Sequence, residues 1–274
     1  MSSHFNPQTV VPGRSAQRQR RTLHRLTGSG LATCFVLWSM TASATAADLS
    51  VRDIATALHA AKTGERPDFS HRDLSGLDLS GLDFKAANLA GSRLTGADLS
   101  HANLIDTDLS GANLDRALLI KTNFTGANLS ASSIVMPAVS ASFDISAADA
   151  PVFTGANLSS ARLIARLQGV DFAGANFSGA NLRPHESATF NSKLLATTLA
   201  GCNLHRANLA HADLSGVQFE FADLTGADLT GANLSGADLS NADLTGARLD
   251  GTTQTGTIFQ NSDHGSIIGT QPDH

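Results

Sequence analysis

The sequence predicts an all-β chain coiled as a solenoid, entered through a short α-helix and preceded by an export leader. Three observations carry this. A five-residue word recurs along most of the chain, a capped amphipathic segment stands just before it, and a basic, then apolar, then Ala-x-Ala succession opens the sequence. The expected segments are a signal peptide at 1–46, a capping helix at 47–66, the repeat region at 67–259 with irregular stretches near 134–152 and 183–192, and a tail at 260–274.

The leader comes first. Arg14, Arg18, Arg20, Arg21 and Arg25, with no acid among them, precede the apolar stretch "LTGSGLATCFVLWSM", and Ala44 and Ala46 then form an Ala-x-Ala site. These are the three parts of a secretory signal peptide, so cleavage is expected after Ala46 and the mature chain is expected to be periplasmic or secreted. Arg20-Arg21 resembles the pair of a twin-arginine signal, although the residues around it depart from that pattern, so the Sec and twin-arginine routes both stand. The apolar stretch is too short and too interrupted for a membrane span.

Cleavage would change the charge. The formal net charge of -5 includes those five arginines, so the mature chain holds 14 basic against 24 acidic residues, or -10. It also keeps Cys202 as its single cysteine, which excludes an internal disulfide, and Cys202 occupies the small apolar slot of its word, as a packed residue would. Trp38 lies in the leader and there is no Tyr.

Next comes the helix. Ser50 followed by Asp53 is a capping box, Val51, Ile54, Ala55, Leu58 and Ala61 recur at helical spacing, and Gly64 follows the last turn. Such a helix would cover the open first edge of a solenoid, which otherwise presents unpaired backbone groups.

The repeat is clearest between Gly226 and Leu249, "GADLTGANLSGADLSNADLTGARL". On a helix its leucines would fall about 140° apart and form no apolar stripe. On a flat strand a step of five sends them to alternate faces. Within a word, however, Ala and Leu share a face, and the odd step to the next Ala must be absorbed by a corner. The Ser/Thr-Gly pair sits at that corner, where Gly tolerates unusual φ. Corners that all turn one way coil the chain with Ala and Leu inside. Asp or Asn before each Leu then faces outward, where it can bond the local backbone.

These words, with "TGADL", "TGANL", "SGADL" and "SGANL" verbatim, resemble the pentapeptide-repeat family, whose pattern is A(D/N)LXX. The resemblance implies a right-handed quadrilateral β-helix, four words to a coil, with residues 20 apart stacked at about 4.8 Å. The run from Phe69 to Phe259 then makes roughly nine coils, about 45 Å long at that spacing. The central apolar residue keeps its step of five from Phe69 to Ile134. It resumes one residue early at Phe143 and Phe153, one early again at Leu167, and two late at Leu194. The shifts cancel, so one continuous coil with local irregularities is expected.

A core of alternating Ala and Leu leaves no room for a small-molecule site, and the chain is expected not to be an enzyme, with no cofactor and no metal. No HExxH, GxSxG, P-loop or CxxC occurs. The expected role is a protein-binding or structural scaffold module with an unknown protein partner and no nucleic acid. Specific contacts are expected where the word breaks, at Met136, Pro137, Arg183, His185 and Glu186.

Two other readings stay open. Some members of the family mimic DNA and inhibit DNA gyrase, and residues 199–274 here hold nine acids against Arg206 and Arg248. Export opposes that reading, because gyrase is cytosolic. A small-ligand or enzymatic site in the irregular middle is the other. At the C-terminal end, Ile258, Phe259, Ile267 and Ile268 are the large apolar residues left to cover the last coil, either by a folded-back tail or through a homodimer.

Overall fold

Each word ends in a tight corner. The Ala97 amide donates to the Leu94 carbonyl at 3.0 Å, and Gly96 between them has φ +66°. A left-handed third residue closed by this bond is the pattern of a type II turn. The corner is so regular that residues other than Gly are carried through it, including His101 (φ 61°), Met136 (φ 55°) and Phe221 (φ 62°). Ahead of each corner the Asp or Asn side chain bonds the amide two residues on, as from Ser75 to Asp73 Oδ1 and from Thr230 to Asp228 Oδ1, each at 3.0 Å. That local bond is why short carboxylates and carboxamides occupy the position.

The computed structural model describes residues 47–139, 149–184 and 197–263. Ala46 and the leader, Phe143, His185, Glu186, Leu194, Ile267 and Ile268 lie outside them.

Parallel bridges join each word to the word one coil on, in four ladders that start at Asp68, Asp73, Asp78 and Asp83 and end at Arg248, Thr253, Ile258 and Asp263. The fold is all-β apart from one helix, α1 (Val51–Ala60). Two three-residue strands, β1 (Ser133–Val135) and β2 (Arg162–Ile164), pair in parallel within the second ladder.

The step along the ladders is 20 residues from Asp68 to Ala138 and again from Thr198 to Asp263. In the middle it is 29 (Asn123 to Val152), 19 (Asn157 to Asn176) and 32 (Asn176 to Asn208). Relative to 20 these are a gain of nine, a loss of one and a gain of twelve. Counted modulo five, they are the shifts of minus one, minus one and plus two visible in the sequence. Their total is 20, one coil's length of chain that adds no coil. The first, second and fourth ladders run through these steps unbroken. In the third, no bridge joins the described residues Ala138 and Arg166.

Inside, Leu and Ala fill the core as the face assignment requires, with Leu229, Ala232 and Leu234 all 0 % exposed. Around the long steps the filling changes to phenylalanine. Phe124 and Phe153 stack at 4.7 Å and 5°, Phe153 and Phe172 at 5.0 Å and 16°, and Phe177 meets Phe172 edge-on at 5.1 Å. At some Ala slots a hydroxyl or thiol donates to a carbonyl of another coil, as Thr122 Oγ1 does to Leu99 O at 2.8 Å and Cys202 Sγ to Leu167 O at 2.7 Å, whereas the buried Ser92 and Ser132 hydroxyls have no partner among the described residues. Burial pushes the Cys202 thiol up to about 12, so it is an inert packed group.

Helix α1 has the expected capping box. The Asp53 amide donates to Ser50 Oγ and the Ser50 amide to Asp53 Oδ2, while Ile54 and Leu58 enter the core. The helix stops at Ala60, short of Gly64, with Ala61 extended at φ -62°. Instead of a glycine cap, its last carbonyls receive a cation: Lys85 Nζ donates to Leu58 O at 2.7 Å and to Ala61 O at 3.4 Å. Asp48 begins the pairing, its amide on Asp73 O and its carboxylate on the Asp73 amide.

Candidate functional site

Most of the described surface repeats itself, so candidate sites are the places where it does not. Met136 stands on the corner that follows the second ladder, 53 % exposed in the left-handed conformation, and Pro137 leads from it into the third ladder. Arg183 is exposed on the same edge, and Pro184 beside it lies against the corner at Gly216. Ser133, Arg162 and Asn181 are successive second-ladder partners, so Met136 and Arg183 lie two coils apart, about 10 Å along the stack. Residues 47 positions apart in sequence thus share one edge. His185 and Glu186 lie outside the described residues.

The structure adds residues that pattern reading missed. Arg116 occupies this edge one coil before Met136, and its amide bonds Val135 O at 2.9 Å. Arg162 and Arg166 lie on either side of the edge one coil after Met136, where the word is one residue short. The edge therefore carries Arg116, Met136, the Arg162–Arg166 pair and Arg183 over four successive coils. Summing the phase shifts could not have found this. A phase counted modulo five does not reveal how many whole words a break consumes, and the ladder partner of each arginine depends on that number.

Elsewhere the outer ladders are neutralised by their neighbours. Asn88, Asn128 and Asn233 donate side-chain amides to Asp68, Asp108 and Asp213 at 3.0, 3.0 and 3.2 Å. Arg93 pairs with Asp73 at 3.7 Å, and Arg248 with Asp228 and Asp250 at 3.5 and 3.6 Å. Burial opposes ionisation of Asp228, but Thr230, whose amide donates to its Oδ1, together with Arg248 outweighs it and holds the carboxyl below its usual range. Asp223, Asp243 and Asp263 are successive partners in the fourth ladder.

Among the described residues no three His, Cys, Asp or Glu side chains are grouped to hold a metal. His71 and His211 lie over Gly91 and Gly231, and His205 bonds Thr225 Oγ1 at 2.6 Å. An open concavity of about 550 Å³ lies not in the core but between the end of α1 and the first coil, lined by Lys62, Gly64, Glu65, Arg66 and Lys85. No described helix is long and apolar enough to cross a membrane. At the last coil Ile258 is 46 % exposed and Phe259 packs partly against the core.

The family model for pentapeptide repeats matches in eight copies, over residues 68–100, 97–133, 165–183, 193–220 and 222–261. Comparison with curated proteins returns no match. Among solved structures, the chain is similar to HetL, a pentapeptide repeat protein involved in heterocyst differentiation regulation from the cyanobacterium Nostoc sp. strain PCC 7120. The identity is 26% and the TM-score 0.58, over 81% of this chain and 97% of HetL. It is also similar to a pentapeptide repeat protein of the Arabidopsis thaliana thylakoid lumen, with 26% identity and a TM-score of 0.26 over 48% of this chain and 79% of that one. A third is QnrB1, a plasmid-mediated fluoroquinolone resistance protein, with 19% identity and a TM-score of 0.22 over 72% of this chain and 89% of that one. With the family model matching more than half of its residues, the chain belongs to the pentapeptide repeat family.

Proposed function

We propose that this is an exported, non-enzymatic binding module, a right-handed quadrilateral coil that is covered at its first edge by α1 and presents one irregular edge to a protein partner. The observation that carries the reading is the convergence of Met136, Pro137 and Arg183 on that edge, among described residues whose other corners mostly follow the repeat, the exposed Phe221 excepted. A solvent-exposed Met in a left-handed corner has neither packing nor backbone preference in its favour, which fits a contact residue. The regulatory role stated for HetL fits action through contact.

The test is an affinity capture from the periplasmic fraction, using the protein and a variant with residues 134–152 and 183–192 replaced by consensus words. Loss of the captured partner from the variant supports the reading, and equal capture by both rejects it. Export is tested separately. Processing after Ala46 removes Trp38, so the recovered protein should have almost no absorbance at 280 nm. A full-length cytosolic chain with Trp38 fluorescence would reject export and restore the gyrase reading.

A further inference from the structure

We infer that the edge carrying Met136 is a docking site for an acidic, extended segment of a partner protein; this rests on the protein-binding reading above and adds the partner's chemistry. The first observation is unspent positive charge. Elsewhere among the described residues Arg93, Lys121 and Arg248 have carboxylate partners, and Lys85 is held by the carbonyls of α1. Arg116, Arg162 and Arg166 have none; Arg52, Lys62, Arg66, Arg72 and Arg206 have none either, but Arg72 and Arg206 stand on other corners of the coil, and Arg52, Lys62 and Arg66 belong to α1 and the segment that follows it. The second-ladder neighbours of Arg162 are Ser133 and Asn181, and the third-ladder partner of Arg166 is Thr198, so no acid is stacked on either. Among the described residues the carboxylate on this edge is Asp115, whose Oδ1 already accepts from Ser133 Oγ at 2.7 Å and from the Val135 amide at 3.0 Å.

The second observation is the setting of those charges. Met136 stands between the coil of Arg116 and the coil of Arg162 and Arg166, beside the described third-ladder residues Ala138 and Arg166 that no bridge joins. An apolar contact flanked by cations suits a segment with carboxylates on either side of an apolar side chain. From the coil of Arg116 to the coil of Arg183 is three steps, about 14 Å, the reach of four or five extended residues. Charge elsewhere selects the same occupant. The chain beyond residue 46 carries -10, so a long polyanion such as a membrane surface or a nucleic acid duplex would be repelled on leaving this strip, whereas a short acidic segment is steered to it.

The full chain is titrated into a short fluorescein-labelled peptide of glutamates around a central leucine, with fluorescence anisotropy as the readout. A double variant, Arg162→Glu with Arg166→Glu, is titrated in parallel. The leader arginines are common to both proteins, so the difference between them reads the edge. The expected result is binding to the unaltered chain that is weakened about tenfold or more in the variant, falls with added salt, and is lost when glutamine replaces glutamate in the peptide. Arg116→Gln should weaken it by a smaller factor, and thermal melts of all variants should match the parent because these side chains lie on the surface. Equal affinity of parent and variant overturns the proposal. So does arginine-dependent binding of phosphatidylglycerol vesicles or duplex DNA that is tighter than that of the peptide. Peptide indifference together with edge-dependent capture of a periplasmic partner removes the acidic chemistry but leaves the binding module; edge-independent capture removes the module itself.

Discussion

Coils built from residues 198–263 and coils built from residues 123–208 use the same backbone bonds for different ends. In the first group every ladder steps by 20, the core is mostly Leu and Ala, and the outward positions are mostly Asp and Asn. In the second the step is 29, 19 or 32, yet the bonds between coils are unchanged in length: Phe124 N to Val152 O is 2.8 Å and Leu204 N to Asp223 O is 2.7 Å. Across the steps of 29 and 19 the register is backed from inside by the stack of Phe124, Phe153 and Phe172, and across the step of 32 Phe172 is followed by Leu204. The lesson is a division of labour. A ladder needs only that matching words meet, so extra chain can be set aside between words; the first ladder keeps Asn throughout these steps (Asn128, Asn157, Asn176, Asn208), and the outward pattern is broken on the other three, at Ser133, Ala138, Val152, Arg162, Arg166 and Thr198.

The largest effect should come from charging the core of the regular group. Leu229→Arg buries a cation with no partner and should cost about 3–5 kcal/mol, enough to abolish cooperative thermal unfolding, whereas the outward Asp238→Ser should stay within about 0.5 kcal/mol. Equal melting shifts for the two would break the face assignment on which the comparison stands.

A matched pair on the inside of the fourth ladder sharpens it. Phe153→Ala should lose about 3–5 kcal/mol in chemical denaturation, more than Leu224→Ala, because it removes two ring stacks as well as volume. If Leu224→Ala were the more damaging, the aromatic stack would not be what backs the step of 29.

The corners separate next. Gly231 has φ +67°, and a Cβ there would lie 2.5 Å from His211 Nδ1, so Gly231→Ala should destabilise by about 1–2 kcal/mol. In the irregular group the sign should reverse: Met136→Gly relieves a left-handed Met at φ 55° and should raise stability by up to about 0.5 kcal/mol while abolishing partner capture. A stability gain with capture intact would detach Met136 from binding.

The smallest effect is on pH. The carboxyl of Asp228 is held below its usual range, as is that of Asp53 by the Ser50 hydroxyl and amide. A lowered folded value means stability that is present above the ordinary carboxylate pKa, about 4, and lost as pH falls through the lowered value. Melting temperature should therefore be flat above about pH 5 and decline below about pH 4, and Asp228→Asn should make that decline slightly shallower.

What the sequence by itself determined was local. The period of five, the inward Ala and Leu, the Gly corners and the Ser50–Asp53 box all follow from neighbours a few residues apart, and each is present. So are the phase shifts, because a phase survives whatever lies between two words. The tertiary structure alone decided which word meets which. The step of 29 at Asn123 and of 32 at Asn176 depends on how much chain is set aside at each break, and no local preference records that. For the same reason Arg116, Met136, Arg162, Arg166 and Arg183 could not be seen to share an edge, nor Lys85 to reach the carbonyl of Leu58, 27 residues before it. Their proximity is set by long-range stacking, in which the free energy of closing the core, not any preference of the residues themselves, selects the partner.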